Sequence, residues 1–90
     1  MTRNEIVTIV IEKLDEIQEL GGEEKVQITK STKPIGGIPG FDSMNGVEFA
    51  AMMDELVHIG EVGNLCASKD STRALTVDEI ADRILEIIPE

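Results

Sequence analysis

The sequence predicts an all-α helical bundle with three main helices and a long loop between the first two. Three observations carry that expectation. Apolar residues recur at three- and four-residue spacings in three separate segments, two of these segments open on a Thr-x-x-Glu capping box, and glycine and proline break the stretch between the first two. At 90 residues the chain fits one domain, 1–90, near the size at which a single core suffices without metals or disulfides. That size argues against a multidomain enzyme with its own deep cleft and for a protein that works through partners.

The first helix is expected over 2–20, where Ile6, Ile9, Val10, Leu14, Ile17 and Leu20 make one apolar stripe. Thr2 and Glu5 have the capping-box spacing, and Gly21-Gly22 supplies a stop. Val7 and Ile11 lie off the strict stripe, which predicts a broad buried face. From 21 to 41 the glycines and prolines exclude a long regular helix. Loops of this length are uncommon in compact domains unless anchored or functional, and Val26, Ile28, Ile35 and Ile38 are the candidate anchors. The alternation Val26-Gln27-Ile28-Thr29 fits a short strand but has no convincing second strand to pair with.

Asp42-Ser43 opens the next helix, expected to run to about Ile59, with apolar residues on more than one face. A second apolar strip beside acidic residues suggests a docking surface in addition to a core face. The segment 65–75 leaves a short third helix open, with Ser68, Ser71 and Thr72 weakening it. The last helix opens on Thr76 and Glu79, carries Val77, Ile80, Ala81, Ile84, Leu85 and Ile88 as its stripe, and stops before Pro89.

Composition narrows the function classes. Eighteen acidic against eight basic residues give a net charge of -10, which repels nucleic acid and favours basic protein surfaces. Phe41 and Phe49 are the only aromatics, so no base-stacking platform exists. The single cysteine, Cys66, excludes an intramolecular disulfide and is read as a small buried hydrophobe. No secretory-signal pattern and no apolar stretch of roughly 20 residues is present, so the expectation is a cytoplasmic monomer without membrane insertion. His58, the only histidine, is read as a solvent-facing helix residue rather than a catalytic base, and one Cys with one His makes no zinc set.

The stretch most informative about chemistry is Gly40-Phe41-Asp42-Ser43-Met44-Asn45-Gly46-Val47-Glu48-Phe49. It places a serine where a glycine-rich loop meets a helix start, whose unpaired amides and partial positive charge suit a phosphate on the serine oxygen. Asp42 or Ser43 before a helix is equally an ordinary N-cap. Gly-Phe-Asp-Ser-Met followed by Val47-Glu48-Phe49 resembles the acyl carrier protein signature, whose core is Asp-Ser-Leu at the start of the second helix. The likeness extends over the first helix, the long loop, the acidic second helix and the closing Thr76-Val77-Asp78-Glu79-Ile80 segment.

The resemblance implies an acyl-carrier-like bundle. It further implies that a phosphopantetheinyl transferase, using coenzyme A and magnesium, attaches 4'-phosphopantetheine to Ser43, and that acyl groups ride on its sulfur as thioesters. Such a protein is a non-catalytic carrier for fatty-acid, polyketide or related lipid synthesis. By the same analogy Asp42 helps position the modification. Met44, Val47, Glu48, Ala51, Asp54 and Glu55 present the surface read by acyl-transferring or condensing enzymes with basic docking surfaces. Phe49, Met53, Val57, Ile80 and Ile84 are assigned to the core. The chain departs from the family pattern at Pro39, where a leucine is usual, at Met44, and in the longer stretch from 57 to 75 with His58, Lys69 and Arg73. Those departures suggest a specialised carrier. The alternative from another class is an acidic helical adaptor or inhibitor that is never modified and binds a basic protein.

Overall fold

The computed structural model describes residues 2–22, 24–68, 70 and 72–88. Lys69, Ser71 and Pro89, which entered the sequence reading, lie outside them. The helices are α1 (Arg3–Gly21), α2 (Pro34–Gly37), α3 (Ser43–Val57) and α4 (Val77–Ile87). Among the described residues there is no strand, only an isolated antiparallel bridge between Ala67 and Ala74. The fold is therefore all-α, and α1 packs against both α3 and α4.

Local chemistry sets where each long helix begins. Thr2 Oγ1 accepts from Glu5 N at 3.2 Å while Glu5 Oε1 accepts from Thr2 N at 2.9 Å. Thr76 and Glu79 repeat that exchange at 3.2 and 2.9 Å. Each box pairs amides that a helix start otherwise leaves to solvent. At the far end of α1, Gly22 adopts φ 69°, a left-handed value open to glycine without steric penalty.

The buried face of α1 is Ile6, Val7, Val10, Leu14 and Ile17, as broad as the off-stripe Val7 predicts. Leu20 departs from the expected stripe and is 80% exposed, while Gln18 is buried. The loop that follows explains the exchange. Gln18 Oε1 accepts from Val26 N at 2.8 Å, and its Nε2 donates to Val26 O at 3.1 Å, so one amide satisfies both main-chain groups of a residue laid over the helix. Leu20 lies beyond that crossing.

The remaining loop anchors hold as expected. Ile38 is buried, and Val26, Ile28 and Ile35 pack half-buried against the core. The connection also contains α2, a single turn with non-helical torsions at Ile35 and Gly36. Main-chain bonds tie the loop to α4: Val77 N donates to Thr32 O at 2.9 Å and Asp78 N to Lys30 O at 3.0 Å. The loop thus satisfies amides at the open end of α4.

Helix α3 ends at Val57, two residues short of the expected Ile59. His58 takes φ 54°, and its amide donates to Asp54 O at 2.9 Å. His58 is exposed as predicted, although it terminates the helix instead of riding on it. No helix forms among the described residues of 58–76, so the short third helix is absent there. The chain folds back on itself instead, with Ser68 N donating to Arg73 O and Leu75 N to Cys66 O, both at 2.9 Å. At the tip, the Asp70 carboxylate accepts from the hydroxyls of Ser68 and Thr72, each at 2.7 Å. Short polar side chains here bind neighbouring residues and supply an alternative to helical pairing. These bonds hold the Asp70 carboxyl down at about 2.

Arg83, from α4, fixes this second loop from beneath. Its guanidinium donates to Ala67 O at 2.7 Å, Asn64 O at 3.0 Å and Val62 O at 3.3 Å. The core is completed by Phe49, Met53, Leu65, Cys66, Ile80 and Ile84. All five side chains assigned to it from the second and last helices, Phe49, Met53, Val57, Ile80 and Ile84, are buried. No helix among the described residues is long and apolar enough to cross a membrane.

Candidate functional site

The start of α3 is defined by a turn and a cap. Phe41 N donates to Ile38 O at 3.0 Å, Gly40 takes φ 77°, and the Phe41 ring is buried, so the chain reaches Asp42 in one fixed direction. Asp42 is the N-cap: its Oδ1 accepts from Asn45 N and its own amide donates to Asn45 Oδ1, each at 3.1 Å. Asn45 thus completes a capping box by the same logic as the Glu of the other two. Ser43 is the first helical residue, and its side chain is exposed. The first main-chain bond of the helix runs from Gly46 N to Asp42 O at 3.1 Å, so the amides of Ser43 and Met44 precede it. Their partial positive charge acts on any anion carried by the Ser43 oxygen.

The residues that follow divide α3 into two opposed faces. Gly46, Phe49, Ala50, Met53 and Val57 turn inward. At about 100° per residue, Met44, Val47, Glu48, Ala51, Asp54 and Glu55 fall within roughly 120° on the opposite side. Met44 is 79% exposed and Val47 50%, and Glu48, Ala51 and Glu55 are exposed beside them. An apolar strip flanked by carboxylates therefore runs from Ser43 along the helix. Asp54 has a second job that periodicity does not reveal: it is half-buried, and its Oδ1 accepts from Gly60 N at 2.7 Å, turning the chain after α3.

An open groove of about 580 Å³ adjoins Ser43. One wall is Ser43, Met44 and Val47; the other includes Asn64, Thr72 and Arg73 of the second loop, with Ile35 at its head. Arg73 Nη2 pairs with Glu79 Oε2 at 2.8 Å. That contact, helped by the Thr76 amide, holds the Glu79 carboxyl down at about 2.

Three residues that sequence reasoning missed shape this wall. Gly46 is one: a Cβ there would run into the side-chain amide of Asn64, whose Oδ1 accepts from Cys66 N at 2.9 Å. A glycine inside a helix is the signal that a close approach is needed. Arg83 is the second, and its only hint is a cation one turn from Ile80, at the border between the apolar stripe and the acidic flank of Glu79 and Glu86. Arg73 is the third; the sequence marked it as a departure in length and charge without a task. Cys66 is buried as expected, and burial pushes its thiol up to about 12, against a lowering influence from Arg83. It is therefore an inert thiol under neutral conditions.

Comparisons with protein-family models, with curated proteins and with solved structures each return no match for this chain.

Proposed function

We propose that this chain is an acyl carrier, loaded on Ser43 with 4'-phosphopantetheine and read by basic partner enzymes through the outer face of α3. One observation carries the reading: an exposed serine is the first residue of a helix whose outward face is an apolar strip edged with carboxylates, while its inward face is fully packed. Loading is a phosphoryl transfer. The Ser43 oxygen forms a bond to the phosphorus of coenzyme A that bears the pantetheine, the bond from that phosphorus to the bridging pyrophosphate oxygen breaks, and adenosine 3',5'-bisphosphate leaves. The serine proton passes to a base of the transferase, and magnesium offsets the charge on the pyrophosphate. The helix start favours the resulting diester through its free amides. The carrier then needs no catalytic group of its own, because the tether raises the local concentration of the acyl thioester at each partner's active site. Carboxylates at 48, 54 and 55 steer cationic partners, an effect that weakens with salt.

A second reading, an unmodified acidic adaptor, draws on the same exposure of Met44 and Val47, since that face is complete without any group on Ser43. Intact mass separates the two. The apo-protein and Ser43→Ala are incubated with coenzyme A, magnesium and a broad-specificity phosphopantetheinyl transferase. Gain of one phosphopantetheinyl group by the wild type alone supports the carrier. No gain with several transferases, one of them from the same organism, leaves the adaptor as the better account.

A further inference from the structure

Resting on the carrier reading, we infer that the arm on Ser43 lies along an outer trough between α3 and the second loop, with Arg73 taking its phosphate. Two grooves make the trough. The one beside Ser43 shares Val47 with a second, of about 440 Å³, lined by Val47, Ala51 and Asp54 on the helix and by Gly60, Glu61 and Val62 on the loop. With a rise of 1.5 Å per residue, the path from Ser43 to Asp54 is roughly 16 Å. About fourteen bonds separate the serine oxygen from the arm's sulfur, which at the reach of an extended polypeptide is also about 16 Å. The trough and the arm therefore match in length, and the tether starts at the trough's own end.

Charge and polarity run in the same order as the arm's chemistry. The diester is an anion placed next to Asp42 on a chain of net charge -10, and among the described residues Arg73 is the cation lining the groove that Ser43 lines. Its pairing with Glu79 joins side chains that are 57% and 36% exposed, a contact weak enough to be shared. A guanidinium has five donors in a fixed fork, so it can hold a carboxylate and a diester oxygen together. Beyond the phosphate, Val47, Ala51 and Val62 offer apolar surface to the arm's gem-dimethyl and ethylene groups. Gly60 and Gly63, both exposed, flank the arm's two amides, the Gly60 amide being already bonded to Asp54. The interior competes poorly, because Phe49, Leu14, Met53, Leu65, Ile80 and Ile84 already fill it as completely buried side chains. Val47 and Ala51 belong both to the trough and to the docking face, so a partner that covers them displaces the arm outward, toward its own active site.

The test is NMR of the holo-protein carrying a labelled arm. Cross-peaks from the gem-dimethyl protons to Val47 and Val62 methyls are expected. Loading should also slow hydrogen exchange at 72–74 by about fivefold, the scale of one exposed charge-assisted contact, with the slowing lost in Arg73→Gln while its fold is kept. Cross-peaks to Ile80 and Ile84 instead, no cross-peaks to protein, or unchanged exchange would overturn the inference. If no transferase loads the chain, the carrier reading fails on its own, and the trough is read separately. For that, Ser43→Cys is alkylated with an iodoacetamide bearing a phosphodiester-linked pantetheine arm, and the same cross-peaks decide the matter.

Discussion

The two long connections of this protein, 22–42 and 58–76, carry no long helix among their described residues, yet they are held in different ways. The first is secured at several independent points: the Gln18 amide pairs Val26, main-chain carbonyls of Lys30 and Thr32 receive the first amides of α4, and Ile38 is buried in the core. The second buries Ile59, Leu65, Cys66 and Leu75, yet its polar ties to α4 converge on one guanidinium, Arg83, which takes three of its carbonyls. Their entrances differ in the same sense. A glycine makes the left-handed turn at 22, whereas a histidine makes it at 58. Distributed polar anchoring tolerates the loss of any one contact better than polar anchoring concentrated in a single side chain. The concentrated one forms a wall of the groove beside Ser43.

The largest expected effect breaks that concentration. Arg83→Met removes the donor to three carbonyls in a part-buried site and should lower unfolding free energy by about 3 kcal/mol in denaturant titrations. The same variant should release Cys66, read as faster reaction with a thiol reagent under native conditions; an unchanged rate would mean the loop has anchors of its own. Gln18→Leu should cost about 2 kcal/mol, because both main-chain groups of Val26 lose their partner. Its thiol reactivity should stay at the wild-type value if the two loops are independent.

A smaller effect is titratable and belongs to the second loop. The Asp70 and Glu79 carboxyls fall from ordinary values of 3.8 and 4.5 to about 2 in the folded protein. Groups whose folded values are depressed stabilise fully above their unfolded values and lose that contribution as pH falls through the folded ones. Melting temperature should therefore drop between about pH 4.5 and pH 2, and less steeply in Glu79→Gln. The smallest change sharpens the comparison of entrances. His58→Gly relieves a left-handed residue but adds unfolded-state freedom, so it should stabilise by less than about 1 kcal/mol in the same titrations.

What the sequence made legible follows from the range of each interaction. The three helix starts rest on partners three residues apart, and the split of α3 into inward and outward faces follows from its period, so both could be read directly. Leu20 could not, because the stripe says nothing of a loop returning over Gln18 three residues short of the helix end. The lack of a helix among the described residues of 65–75 was half visible in Ser68 and Thr72, while the Asp70 hub that gathers their hydroxyls needed the fold. Within the candidate site, Asp42, Ser43 and the exposed face were legible. Arg73, Asn64 and Arg83 were not, since each acts on residues brought near only by tertiary packing.

The reciprocal cap between Asp42 and Asn45 has a further consequence for engineering. Because it is closed by side chains within one turn, the point at which α3 begins is independent of the length of the loop before Gly40. Segments inserted near Ser31, or exchanged with those of another protein, should leave Ser43 as the first helical residue. The capped start of α3 with Ser43 is thus a portable module of about one helical turn, separable from the scaffold that displays it.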